Sequence, residues 1–257
     1  MDEKEIKKLI EKLVQELNLR GYSSKTRKKY ISVAKKYLES SQSPREFLSS
    51  FSNKDPETMR FNYFALKFFI ENVLEETMDS IPLAKSKIKI PTVLTRNEVE
   101  RLIACTRNKT HLALLCALYF AGLRLSELRL LKWEDIDFER ESLTIKGRHK
   151  RVIFLHPRLK EALMNIKQSS GYVFTSQSGK TYTERNIQQI VARATERAKI
   201  FKRVTPRVLR YTFATHLLES GADIRYIQYL LGHKNTRTTQ IYNQIANRSI
   251  KSLAKLL

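Results

Sequence analysis

Apolar residues recur at helical spacing from the start of the chain. Ile6, Leu9, Ile10, Leu13 and Leu17 form one stripe, which runs out before Gly21, a residue suited to the left-handed turn that ends a helix. After Ser23 and Ser24 a second stripe takes up Tyr30, Val33, Ala34, Tyr37 and Leu38. Its other face carries Lys25, Arg27, Lys28, Lys29, Lys35 and Lys36. A short helix is predicted over residues 44–51. Asp55-Pro56 then supplies an N-cap and a first-turn proline for a helix through Phe61, Phe64, Phe68 and Phe69. Four short helices of this kind make a small bundle.

The pattern stops at residues 77–92. This stretch has no helical stripe and contains Pro82, Pro91 and the run Lys85-Ser86-Lys87-Ile88-Lys89, so an extended basic linker is predicted between a first domain, residues 1–76, and a second, residues 93–257. The second opens on Thr95-Arg96-Asn97-Glu98, a capping box before Val99, Leu102 and Ile103. An apolar helix over residues 112–121 ends at Gly122. The period then changes. Residues 142–146 and 151–155 alternate as short strands around Gly147-Arg148-His149-Lys150, a hairpin. Pro157 starts another helix, and residues 172–174 read as a further short strand. Thr183 caps a helix through Ala198, and Thr205-Pro206 opens a long one that reaches Leu218 and stops at Gly221. Three shorter helices finish the chain. The fold class is mainly α with a small antiparallel β-sheet: an N-terminal helical bundle followed by an α+β domain.

Charge changes this picture from a generic helical protein to one with a polyanionic partner. The 257 residues carry 48 Lys and Arg against 26 Asp and Glu, a net +22. Residues 1–85 are nearly balanced at +3, whereas residues 86–257 hold +19. Nucleic acid and an anionic membrane surface are the two partners that such a segment suits. The longest apolar run, residues 112–123, stops at Arg124 and falls short of the roughly 20 residues a spanning helix needs. The charged N-terminus has no export signal. Cys105 and Cys116 both lie in apolar helical pattern and read as small reduced core residues, which suits a reducing cytosol where DNA is the available polyanion.

Metal and nucleotide chemistry find no purchase. There is no phosphate-cradling glycine loop, no histidine pair at i, i+4 and no cysteine cluster, so no cofactor and no metal are expected. What stands out are four strings rich in cations. They are Ala121-Gly122-Leu123-Arg124-Leu125-Ser126-Glu127-Leu128; Lys146-Gly147 in the hairpin; Arg207-Val208-Leu209-Arg210 followed by Thr212-Phe213-Ala214-Thr215-His216; and Leu230-Leu231-Gly232-His233 with Thr238-Thr239-Gln240-Ile241-Tyr242 after it.

In this order the strings resemble the tyrosine recombinase (phage-integrase-like) family, its Xer-like members and most of all the archaeal Xer site-specific recombinases. The resemblance covers the whole second segment. Ser24-Lys25-Thr26-Arg27-Lys28-Lys29-Tyr30 also looks like part of the family's helical core-binding, DNA-binding domain. It implies a catalytic domain with a C-terminal tail helix, and an enzyme that cleaves and rejoins double-stranded DNA at a specific recombination site through a 3′-phosphotyrosyl intermediate. Chromosome or plasmid dimer resolution and integration are the roles it suggests. It further implies a homotetramer on paired sites, in the cytoplasm at the nucleoid.

The chemistry asks for these residue types. A phosphodiester under attack gains charge on its equatorial oxygens, which planar guanidinium groups clamp through paired donors where a lysine is a point charge. Arg124 and Arg210 are the candidates, with Glu127 one helical turn on to orient Arg124; the plainer reading of Arg124 is a helix-end cation. Tyr242, nine residues past His233, is the candidate nucleophile, a phenol whose ordinary pKa of about 10 makes nearby cations necessary. Lys146 is the candidate general acid for the departing 5′-oxygen, with His149, Lys150 and Arg151 in the same hairpin as alternatives. His233 is the candidate donor to a non-bridging oxygen. His216, among apolar neighbours, reads as structural. Arg207 stands where the family usually has histidine, and Tyr211 where it often has a second one. An arginine can hold a phosphate oxygen but cannot take a proton. Two other readings stay open on this sequence: a DNA-binding protein of the same fold with lost or weak catalysis, and a type IB topoisomerase-like DNA relaxing enzyme. After Tyr242, Ile245, Ala246, Ile250, Leu253, Ala254, Leu256 and Leu257 form a terminal apolar stripe suited to docking on a neighbouring protomer or on its own domain.

Overall fold

Capping chemistry sets the helix starts in the computed structural model, which describes residues 2–83, 91–147, 149–168, 170–176 and 179–232. Helix α1 (Glu3–Leu19) is followed by α2 (Ser24–Ser40), whose first turn is closed by the Ser23 hydroxyl accepting the Thr26 N–H at 3.2 Å. Ser43 and Glu46 form a reciprocal capping box on α3 (Pro44–Ser49), and Asp55 caps α4 (Pro56–Phe69). The helix continues as a π-helical turn over Ile70–Leu74, which the apolar pattern does not distinguish from more α-helix. Residues 1–88 form one unit and residues 89–257 another.

In the first unit Leu13, Leu17, Ala34, Leu48, Leu66 and Phe69 pack as a core from which water is excluded. Each such leucine or phenylalanine side chain contributes about 1.5–3 kcal/mol by leaving water. The phenylalanines of α4 do not all share that face. Tyr63, Ala65 and Leu66 turn inward with Phe69, while Phe64 is 55% exposed and Phe68 lies edge-on to Tyr22 and Tyr30 at the margin. Met78 is also buried in this core, within the stretch that reads as linker from sequence. The basic residues Lys25, Lys28, Lys29, Lys35 and Lys36 of α2 are exposed.

The second unit is built round α6 (Lys109–Phe120), in which Ala113 to Leu118 are buried without a polar break. The predicted capping box of Thr95 and Glu98 opens α5 (Arg96–Ala104). After α6 come α7 (Leu125–Leu130), a 3-10 turn over Trp133–Asp135, and three antiparallel strands in the order β1 (Ile136–Asp137), β2 (Ser142–Ile145), β3 (Arg151–Phe154). The β2–β3 register pairs Ser142 with Phe154 and Ile145 with Arg151. Helices α8 (Pro157–Met164), α9 (Glu184–Arg197), α10 (Pro206–Glu219) and α11 (Ile224–Leu231) complete the described residues.

Two expectations are corrected. Residues 172–174 are not a sheet strand: Tyr172 makes an isolated bridge to Lys132, and the Val173 N–H donates to the Leu131 carbonyl at 2.9 Å. Three apolar-looking residues suffice to mimic a strand when a loop packs on the core. Cys105 is exposed at the end of α5, because that helix stops one residue before it; Cys116 is buried as predicted, and burial pushes its thiol up to about 12. Among the described residues no helix is long and apolar enough to cross a membrane.

His216 is structural, as its surroundings predict. It is buried on α10 with Nε2 3.0 Å from the Leu94 carbonyl and Nδ1 2.8 Å from the Tyr119 hydroxyl. The carbonyl only accepts, so Nε2 carries a proton. Burial holds its pKa below the ordinary histidine value, which favours the neutral ring.

Candidate active site

Gly122 ends α6 with φ +56°, a left-handed conformation, and the turn it makes puts Arg124 immediately before α7. Glu127 then falls on the first turn of α7. Its Oε2 accepts the Arg124 backbone N–H at 2.8 Å, and its Oε1 accepts from Arg124 Nη1 at 2.7 Å. The sequence spacing of three residues therefore brings the carboxylate against both the backbone and the guanidinium of Arg124.

Two further arginines converge on the same carboxylate. Arg151 donates to it twice, Nη1 to Oε1 at 2.8 Å and Nη2 to Oε2 at 2.9 Å. Arg210 of α10 lies with Nη1 3.9 Å from Oε2. Further guanidinium N–H groups go to main-chain carbonyls at helix ends. Arg210 donates to the Gly122 carbonyl, and through Nη2 to the Leu231 carbonyl at 2.5 Å. Arg151 Nε reaches the Leu230 carbonyl at 2.5 Å, and Arg124 Nη2 the Gly232 carbonyl at 2.7 Å. Side-chain exposure is 1% for Arg151, 8% for Arg210 and 27% for Arg124.

One carboxylate among three guanidiniums leaves two positive charges unbalanced. At an effective dielectric constant near 20, each attracts an anion about 4 Å away by about 4 kcal/mol. Burial alone would raise the Glu127 pKa. Hydrogen bonds from Arg151 and from the Arg124 backbone, then the Arg151 charge and a hydrogen bond from the Arg124 side chain, outweigh burial and lower it to about 2. The group is an anion under all working conditions, and its task is to hold cations.

Lys146, at the end of β2, lines a cleft of about 390 Å³ together with Arg124, Glu127, Asp135 and His149. Its Nζ lies 2.6 Å from Asp135 Oδ1 and 3.1 Å from Glu134 Oε1. Those hydrogen bonds, Asp135's first, raise its pKa above the ordinary lysine value. The ammonium thus remains charged and is parked on carboxylates at the lip of the arginine cluster. Among the described residues no group of three or more His, Cys, Asp or Glu side chains converges as a metal ligand set.

The structure separates Arg207 from Arg210. Both lie on α10, but Arg210 is buried at the cluster, whereas Arg207 is exposed with Nε donating to the Tyr211 hydroxyl at 2.6 Å. His233, Tyr242 and the apolar tail lie outside the described residues; Gly232, which precedes His233, is at the cluster. Sequence reasoning missed the part Arg151 plays and kept it only as an alternative to Lys146. A signal was available. With Ile145 and Ile153 facing the core, the hairpin register aims Arg151 inward, and an arginine at an inward strand position needs a buried partner.

The model of the phage integrase family matches residues 92–248. The tyrosine recombinase XerA of Pyrococcus horikoshii is 32% identical over 95% of this chain and 91% of its own. The crystal structure of XerA recombinase superposes with a TM-score of 0.59 at 25% identity, covering 97% of this chain and 98% of that one. The Tn1549 transposon integrase, solved in complex with circular intermediate DNA, shares the fold at a TM-score of 0.74 and 18% identity, over 95% of this chain and 99% of that one. With a family match over more than half its length and a relative this similar along nearly all of it, the chain belongs to the phage integrase family and is a tyrosine recombinase.

Proposed function

We propose that this enzyme cleaves and rejoins duplex DNA at a specific recombination site, with Tyr242 as the nucleophile. The Tyr242 hydroxyl gives up its proton to water or another side chain, and its oxygen attacks the scissile phosphorus as the bond to the 5′-oxygen breaks, which leaves a 3′-phosphotyrosyl strand and a free 5′-hydroxyl. Lys146 gives its proton to the departing 5′-oxygen. Arg124 and Arg210 hold the non-bridging oxygens, Glu127 orients Arg124, and His233 donates to the same phosphate. A 5′-hydroxyl from the partner duplex reverses the steps. The covalent bond conserves the phosphodiester energy, so neither nucleotide nor metal takes part.

The observation that carries this reading is the carboxylate-centred arginine cluster beside a cleft holding a protonated lysine. Such a site suits a phosphoryl group passing through a transition state of higher charge. Recombination joins two duplexes, so the working unit is a homotetramer on paired sites, acting in dimer resolution of a chromosome or plasmid, or in integration, in the cytoplasm at the nucleoid. Arg207, exposed on α10 away from the buried cluster, serves as a further cation toward the DNA phosphates, without the acid–base role of a histidine.

A plasmid with two directly repeated copies of the recombination site tests the proposal. Resolution into two circles without added nucleotide, and in EDTA, is the expected result. Relaxation of supercoiled plasmid lacking the site would favour a type IB topoisomerase-like activity. Binding to the site with neither outcome would favour a DNA-binding protein that has lost the chemistry.

A further inference from the structure

Arg151 occupies a position that ordinary packing would give to an apolar residue. It is 3% exposed, and Ile153, two residues on along β3, faces the core beside it. Its Nε donates to the Leu230 carbonyl, its Nη1 to Glu127 Oε1 and the His149 carbonyl, and its Nη2 to Glu127 Oε2, at 2.5, 2.8, 3.1 and 2.9 Å. A buried ion pair is weak ground for stability, since well-packed apolar residues commonly serve as well. What apolar residues cannot do is fix the plane of a carboxylate.

That plane matters because Glu127 Oε1 is shared between Arg151 Nη1 and Arg124 Nη1. The Arg124 backbone N–H and Nη1 each hold one oxygen, and two parallel bonds from Arg151 on β3 fix the carboxylate plane independently of the guanidinium it has to orient. The same guanidinium also indexes α11 against β3. Arg151, Arg210 and Arg124 bond the consecutive carbonyls of Leu230, Leu231 and Gly232, so a shift of one would displace the others.

We propose that Arg151 is a positioning residue for strand cleavage: acting through Glu127 and the Leu230 carbonyl, and without touching DNA, it sets the angle at which Arg124 meets the scissile phosphate. The proposal rests on the cleavage reading above. The charged and titratable groups facing Glu127 are Arg124 beside α7, Arg151 on β3 and Arg210 on α10, with Lys146 and His149 in the adjoining cleft.

The test is single-turnover cleavage of a nicked suicide duplex carrying the site, measured with duplex affinity and melting temperature. The proteins are the full-length wild type, Arg151→Lys, Arg151→Gln, Glu127→Gln and the double variant Glu127→Gln/Arg151→Gln. Arg151→Lys keeps the charge but cannot make the paired bonds, so cleavage falls on the order of 10²-fold, the usual consequence of a misplacement of about 1 Å, while affinity stays close to wild type. In Arg151→Gln the Glu127 carboxyl loses donors that offset its burial. Its pKa rises, and cleavage falls as pH is lowered through a range where the wild type is flat. Glu127→Gln in the same background abolishes that limb. The double variant removes the buried Arg151 charge together with its carboxylate and so loses less stability than Glu127→Gln alone; it should cleave no more slowly than Glu127→Gln alone, because Arg151 acts through Glu127. Arg151→Lys cleaving at the wild-type rate overturns the proposal. So does a loss explained by melting temperature and affinity alone with the pH profile unchanged, or a double variant in which the two defects multiply. A wild type that forms no covalent adduct overturns the cleavage reading and the proposal with it.

Discussion

Arg207 donates its Nε–H to the Tyr211 hydroxyl at 2.6 Å, and its guanidinium carbon lies 5.2 Å from the centre of the Tyr211 ring. The two positions at which the chain departs from the histidines usual in its family are thus bonded to each other, one turn apart on α10. The arginine is held by both a hydrogen bond and the face of the ring, and neither contact lets it accept a proton. Replacing Arg207 by histidine restores a group with an ordinary pKa near 6.5. The Arg207→His enzyme is expected to cleave faster than wild type above that pH and to slow as pH falls through it. Single-turnover cleavage between pH 5 and 9 checks this, with a wild-type profile that lacks such a limb.

Glu127 gives stability a pH signature. Its folded pKa of about 2 lies below the ordinary carboxylate value, so its contribution is complete above about pH 4.3 and is lost as pH falls toward 2. A depression of about two units corresponds to about 3 kcal/mol. Acid unfolding followed by circular dichroism should show this loss. In Glu127→Gln the loss is absent, while stability at pH 7 drops by about 3–5 kcal/mol, since buried Arg151 and Arg210 lose their counter-ion.

Gly122 is required twice over. Its φ of +56° disfavours any side chain, and a Cβ there would run into the Phe213 ring. Its carbonyl also receives Arg210. Gly122→Ala is expected to lower stability by about 2–4 kcal/mol, the left-handed penalty added to overpacking, and to slow cleavage by the molecules that remain folded. Denaturant melts and single-turnover cleavage read the two effects separately.

Much of this was legible in the sequence because it depends on near neighbours in the chain. The Thr95–Glu98 capping box, the Arg124–Glu127 spacing and the stop at Gly122 are local, and the structure shows each of them. The Phe64 side of α4 was harder to read, since a helix rich in phenylalanine has no single apolar face until its neighbours are placed. Arg151 was harder still. Its partners Glu127 and Leu230 lie 24 and 79 residues away, and only the fold brings them together.

Lys146 is tied to Asp135 at 2.6 Å, so its proton is available at neutral pH and its place in the cleft is set by that carboxylate. Lys146→Ala is expected to slow cleavage by about 10²–10⁴-fold, the range of a lost general acid. A duplex with sulfur in place of the departing 5′-oxygen leaves as a thiolate and needs no proton. Cleavage of that duplex by Lys146→Ala should approach the wild-type rate, as measured in the same single-turnover assay.

The nucleophile is tested most directly by incubating the protein with a nicked suicide duplex carrying its site and mapping any covalent adduct by mass spectrometry. The phosphotyrosyl bond is expected at Tyr242. The Tyr242→Phe protein, lacking one oxygen, should bind the duplex with unchanged affinity and form no adduct. An adduct on another residue, or one that persists in Tyr242→Phe, would contradict the assignment.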